Sequence, residues 1–118
     1  MVMYNLEMQT WTEQLKAEFD RATQARIKHN EGQARVCARR AAGVAIREYL
    51  TRKGTPPASM SAYDLLNLLK EDPLLPSDMQ LITGHLTVRV TEEFTLPVQA
   101  DLVAEARILC KWLLPDWR

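Results

Sequence analysis

The chain has 118 residues, 47% of them hydrophobic and 25% charged, with 15 basic and 15 acidic side chains balancing to a formal net charge of zero. That length and composition predict one folded domain able to bury a core, and exclude disorder and a second domain. The N-terminal stretch MVMYNLEMQTWTEQ has neither a basic flank nor an apolar run, and no segment approaches the ~18 apolar residues of a membrane span. A soluble cytoplasmic protein without a membrane partner is expected, with Cys37 and Cys110 as buried free thiols.

The zero net charge hides an asymmetry. Between Arg21 and Lys53 lie Arg21, Arg26, Lys28, Arg35, Arg39, Arg40, Arg47, Arg52 and Lys53, against only Glu31 and Glu48. From Gly54 onward acids prevail. Such a split either marks a surface for anions or nucleic acid, or is neutralised within the fold or across a dimer.

Helix signals run the length of the chain. Thr10 and Glu13 have capping-box spacing, and Trp11, Leu15, Phe19 and Ala22 form an apolar stripe, with Met8 one turn earlier. This first helix is predicted from Thr10 to about Lys28, ending at HNEG. A second and longest helix is predicted from about Gln33 to Arg52. Ala34, Ala38, Ala41, Ala42, Ala45, Ile46 and Tyr49 share one face, flanked by Val36, Gly43 and Leu50. Cys37 and Val44 fall on the far side, near Arg40 and Arg47. So many small residues let other backbones approach closely, which predicts that this helix is the centre of a bundle. Gly54 and the prolines after it end it.

Ser61 is predicted to cap a short helix carrying Leu65, Leu66, Leu68 and Leu69, too leucine-rich for a surface element. A fourth helix follows, with Ser77 as its N-cap, Gln80 at the capping-box position, and Met79, Ile82, Leu86 and Val90 as its stripe. LTVRVTEEFTL has some β character, but a lone strand has nothing to pair with, so helix and loop are expected there. The last helix is predicted from about Gln99 to Leu114, with Leu102, Ala106, Leu109 and Leu113 inward, widened by Val103 and Cys110. Ile108 and Trp112 leave that stripe and are candidates for a partner interface; Pro115 stops the helix ahead of Trp117 and Arg118. The expected fold is all-α, an antiparallel four- to five-helix up-and-down bundle forming a single domain over residues 1–118.

No constellation fixes a reaction. His29 and His85 lack a second ligand at metal spacing, the four glycines build no phosphate loop, and no serine sits in a nucleophile elbow. Glu92 and Glu93 read as a solvated face. Asp101 and Glu105, one turn apart, suit the first turns of a helix. No metal, cofactor or catalytic residue is expected. The arginines are the best lead, and two readings stay open for Arg35, Arg39, Arg40 and Arg47. They form internal ion pairs with acids such as Asp101 or Glu105, or they contact the phosphates of a nucleotide or RNA.

The order of parts, HNEGQARVCARRAAGVAIREYLTRKG, then SAYDLLNLL, LITGHLTVRV, a loop with Pro97, and ADLVAEARILCKWLL, resembles the HEPN domains (higher eukaryotes and prokaryotes nucleotide-binding) over about residues 8–114. The resemblance implies a four- to five-helix bundle that dimerises, and a protein partner such as a minimal nucleotidyltransferase. Active members carry an arginine followed within a few residues by a histidine. Arg89 matches that arginine, but Phe94, Thr95 and Leu96 stand where the histidine falls, and His85 precedes the arginine. The resemblance therefore implies a non-catalytic module that dimerises and binds a protein. The alternatives are a nucleotide- or RNA-binding protein using the arginines of the second helix and, less favoured, a metal-independent ribonuclease built on Arg89.

Overall fold

The computed structural model of the chain describes residues 10–88 and 100–117. Those residues form five helices and no strand: α1 (Trp11–Ile27), α2 (Glu31–Arg52), α3 (Ala62–Lys70), α4 (Ser77–Thr87) and α5 (Leu102–Leu113). None is long and apolar enough to cross a membrane. Most of the β-tending stretch, with Val90 and Gln99, lies outside the described residues.

Local chemistry sets the ends. The Thr10 hydroxyl accepts from the Glu13 backbone N–H and donates to the Glu13 carboxylate, so the spacing delivers an N-cap whose return bond runs from the hydroxyl rather than from the Thr10 backbone. α1 and α2 both finish in the same hydrogen-bonded motif. At α1 the N–H of Asn30 reaches the carbonyl of Ala25 and that of His29 reaches Arg26; at α2 the N–H of Thr55 reaches Leu50 and that of Gly54 reaches Thr51. This motif needs one left-handed residue. Gly54 supplies it at φ 81, whereas at α1 His29 takes it at φ 58, a conformation a side chain tolerates poorly. Asn30 caps α2, which therefore starts at Glu31 rather than at Gln33. Ser61 caps α3 through the Asp64 N–H, as its spacing predicts. Ser77 does not cap α4: Pro76 holds that position without a side-chain bond, and Ser77 is the first helical residue. Asp101, accepting from Ala104, caps α5, which begins at Leu102.

α2 is the centre, packing against α1, α3 and α5. Ala34, Ala38, Ala41, Ala42, Ala45 and Ile46 are buried, so the small-residue face does bring neighbours close. Enclosure goes further round the helix than its pattern shows. Cys37, expected on the far side, is fully buried and accepts a weak hydrogen bond from Gln33. Cys110 is also free and buried, its thiol donating weakly to the Ala41 carbonyl. Gly43 is where α3 lands: a Cβ there would meet Ala62 Cβ at 3.1 Å.

Directions follow from contacts between helix ends. Arg26 meets Glu31 at one end of the α1–α2 hairpin and Gln14 meets Arg47 toward the other, so the two helices are antiparallel. Asp101 bonds Arg26 and Asp116 bonds Arg52, so α5 runs with α2. α3 starts on Gly43 and finishes with Asp72 beside Tyr49 and Lys53, so it also runs with α2. The linker between Lys53 and Ser61 carries the chain back along α2 before α3 begins. α4 then returns, ending at Arg39 of α2.

The C-terminal residues are seated. Trp117 is 9% exposed, its ring stacked on Phe19 at 5.5 Å, while the Arg107 guanidinium covers the same Phe19 ring at 4.4 Å. Phe19 and Trp117 belong to the same core as Leu15, Ile46 and the buried leucines of α3, α4 and α5.

Candidate anion-binding groove

Two long antiparallel helices leave a groove along their outer seam. The start of α3 forms its third wall, and its volume is about 590 Å³. α1 contributes Gln14, Ala17, Glu18 and Arg21, which recur at helical spacing on one face. α2 contributes Arg39, Arg40 and Arg47 around Gly43 and Val44, and Met60 to Tyr63 close the side. Four arginines and one carboxylate stand among the described residues of the lining.

The groove has two cationic ends. At one, Arg47 donates to Gln14 Oε1 at 3.1 Å and lies 3.3 Å from Met60 Sδ. Neither partner is charged, so the guanidinium is oriented without being neutralised. Arg40 lies two turns back along α2, about 10 Å by the helical rise. It is exposed and has no carboxylate partner among the described residues. The antiparallel register carries Arg21 to the level of Arg40. Between the two ends sits Glu18, with 14% of its side chain exposed and its nearer oxygen 3.4 Å from Arg21. That oxygen is enclosed and makes no hydrogen bond, so the contact is Coulombic only.

Arg39 lines the groove but its head is engaged elsewhere. Nε donates to the Leu86 carbonyl at 2.9 Å and Nη2 to the Val88 carbonyl at 3.0 Å. These acceptors sit at the C-terminal end of α4, where carbonyls lack helical partners and a positive charge is favoured. Burial, helped by the neighbouring charge of Arg35, draws the Arg39 pKa below its ordinary value. The carbonyls are neutral, so Arg39 still adds charge to the groove's field.

The four candidate arginines, Arg35, Arg39, Arg40 and Arg47, thus separate. Arg39, Arg40 and Arg47 share the groove, while Arg35 is half-buried outside it. None of the four takes the expected acids. Asp101 is held by Arg26 at 2.7 Å and Glu105 by His85 Nδ1 at 2.8 Å. Arg26 also grips Glu31, and those two carboxylates raise its pKa further above the arginine range. The hydrogen bonds from Arg26 and from the Ala104 N–H hold Asp101 below the usual carboxylate value. Arg89 lies outside the described residues.

The interface candidates also part company. Ile108 is 51% exposed, but Trp112 is half-buried against the core, its ring 6.1 Å from that of Tyr49. Among the described residues no group of three His, Cys, Asp or Glu side chains could hold a metal. Sequence reasoning missed Gln14, Glu18 and Arg21. Their signal is present, since they recur one turn apart beside the apolar stripe of α1, but it gains meaning only once α1 is laid against α2. No family model, curated protein or solved structure matches the chain.

Proposed function

We propose that the chain is a binding module that holds a phosphate-bearing ligand, a nucleotide or RNA, along the α1–α2 groove. One observation carries this reading: Arg21, Arg39, Arg40 and Arg47 line one open groove, and Arg40 and Arg47 have no carboxylate partner among the described residues. Guanidinium groups held by neutral partners keep their full charge for an incoming anion, and their planar fork suits phosphate oxygens. Asp101 and Glu105 are held by Arg26 and His85, which removes those two as internal partners; Glu18 stays in the groove. The resemblance to HEPN domains supports a nucleotide- or RNA-directed role and is itself part of the proposal.

Fluorescence anisotropy with a labelled single-stranded RNA at several salt concentrations tests it. Contact with two to three phosphates gives a slope of log K against log salt of about −1.4 to −2. Replacing Arg40 and Arg47 together by glutamine is expected to weaken binding by at least about tenfold and to flatten that slope. Binding that is indifferent to both changes refutes the reading.

A second reading, that the module dimerises or docks a protein such as a minimal nucleotidyltransferase, is favoured by a different observation. Ile27, 65% exposed, lines a shallow cleft between α1 and α5, and Ile108 lies one turn from Ala104 of the same cleft. Sedimentation of the wild type and of Ile108→Glu tests it. A dimer that dissociates in the variant supports an interface there, and a wild type that stays monomeric at high concentration counts against it.

A further inference from the structure

Glu18 has no evident place in a simple phosphate groove. A carboxylate among four arginines weakens the field an anion meets, and this one is largely withdrawn from solvent with its enclosed oxygen unbonded. Such an arrangement is unfavourable for an isolated chain, because a buried acceptor lacks the hydrogen bond that water would give it. Its position is informative. Glu18 is one turn from Gln14, which marks the Arg47 end, and one turn from Arg21, which marks the Arg40 end. The negative charge therefore sits between two cationic ends about 10 Å apart along α2.

We propose that Glu18 is a specificity-determining residue of this groove. It selects ligands whose anionic groups are separated by a neutral unit that donates hydrogen bonds, and it disfavours compact polyanions. Single-stranded RNA has that form: successive phosphates are separated by a nucleoside whose 2′-hydroxyl and base edge supply donors. A triphosphate does not. Its phosphates share bridging oxygens, so a chain spanning from one end toward the other lays negative charge over Glu18. The inference rests on the phosphate-binding reading of the groove and names its ligand class within that reading.

Repulsion sets the size of the effect. Like charges about 6 Å apart in the partly aqueous setting of an open groove change affinity about three- to tenfold per charge, less at high salt. Glu18→Gln keeps the shape and removes the charge. It is expected to tighten binding of inorganic tripolyphosphate about tenfold while changing that of a short oligouridylate by less than about threefold. Arg21→Gln is expected to weaken both probes without altering their ratio.

The experiment titrates both probes, at fixed low salt, into the folded wild type, Glu18→Gln and Arg21→Gln. Glu18→Asp, which retracts the charge by one methylene, serves if the amide variant fails to fold, with a smaller gain for tripolyphosphate expected. A wild-type preference for oligouridylate that collapses in Glu18→Gln supports the proposal. An unchanged preference overturns it, as does an Arg21→Gln variant that reproduces the collapse, since Glu18 then acts only through Arg21. A wild type that binds neither probe instead overturns the phosphate-binding reading beneath it.

Discussion

Gly43→Ala isolates the contact on which the centre of the fold depends. In an exposed helix interior, glycine to alanine stabilises by about 1 kcal/mol, because alanine loses less backbone entropy. At Gly43 that gain meets a steric cost. The new Cβ would lie 3.1 Å from Ala62 Cβ and 3.2 Å from Ala62 Cα, and the second atom is backbone. α3 must then move by a few tenths of an ångström. Overpacking of this kind costs about 1–3 kcal/mol. The net expectation is a loss of about 1 kcal/mol, or roughly 4 °C in Tm for a domain of this size.

Gly84→Ala is the matched control. Gly84 is inside α4, and nothing lies within 4 Å of a Cβ built there. It is expected to gain about 0.5–1 kcal/mol. Urea and thermal unfolding followed by circular dichroism read both variants against the wild type. Opposite signs support the packing; a Gly43→Ala protein stabilised as much as Gly84→Ala refutes the seating of α3 on α2. The same variant links packing to the groove, because Ser61 to Tyr63, its third wall, begin α3. Displacing that wall is expected to alter RNA affinity more than Gly84→Ala does.

Three further outcomes follow from particular contacts. Arg39→Gln removes a charged donor from two carbonyls at the end of α4 and is expected to cost about 2 kcal/mol in urea unfolding, more than Arg40→Gln, which is expected within about 0.5 kcal/mol. Asp101 has its pKa lowered first by Arg26 and then by the Ala104 N–H, so its contribution is full above the unfolded carboxylate value of about 3.9 and is lost as pH falls through the lower folded value. The pair is half exposed, so this is expected to amount to under about 1 kcal/mol, and Asp101→Asn should lose correspondingly less stability than wild type between pH 7 and pH 3 in parallel melts. Burial pushes the Cys110 thiol up to about 12, and Cys37 is equally enclosed, so neither is expected to react with a thiol reagent until the chain unfolds; fast labelling of the native protein would place them at a surface instead.

Periodicity revealed inward residues of α1 and α5 because each of these helices buries one side only, the case in which a stripe is informative. In α3 the pattern does not tell the four leucines apart, and Leu68 is exposed while Leu65, Leu66 and Leu69 are buried. Periodicity misled at Cys37 because α2 is covered by three helices, which narrows its polar face to positions such as Gln33 and Arg40 and encloses the thiol between them. Caps were legible at Thr10 and Ser61 but not at Asn30 and Asp101, so the pattern starts α2 at Gln33 and α5 at Gln99 instead. The rule failed at Ser77, where Pro76 precedes it: proline fixes φ and cannot donate, and it takes the boundary position itself. The arginines were recognisable as the unusual feature, but not their division of labour. Which guanidinium meets α4 and which faces the seam depends on where α4 ends and how α1 lies, and neither is encoded locally in α2.

The alanines and the arginines of α2 are parts of one arrangement. Ala34, Ala38, Ala41, Ala42 and Ala45 contribute little buried area each, so their burial adds less hydrophobic stabilisation than leucines at the same sites would. What they permit is closeness: α1, α3 and α5 approach one axis, and the groove is only as wide as that approach allows. Arginine is the side chain that suits such a centre. Its stem covers apolar surface while its head reaches out to solvent or to a helix end, as Arg39 does at Leu86 and Val88. Larger residues on the alanine face would spread the helices and separate Arg21 from Arg40 and Gln14 from Arg47. On this reasoning Ala38→Leu, a change far from any ligand, weakens RNA binding as well as folding, whereas an Arg40→Gln protein folds normally and loses binding alone.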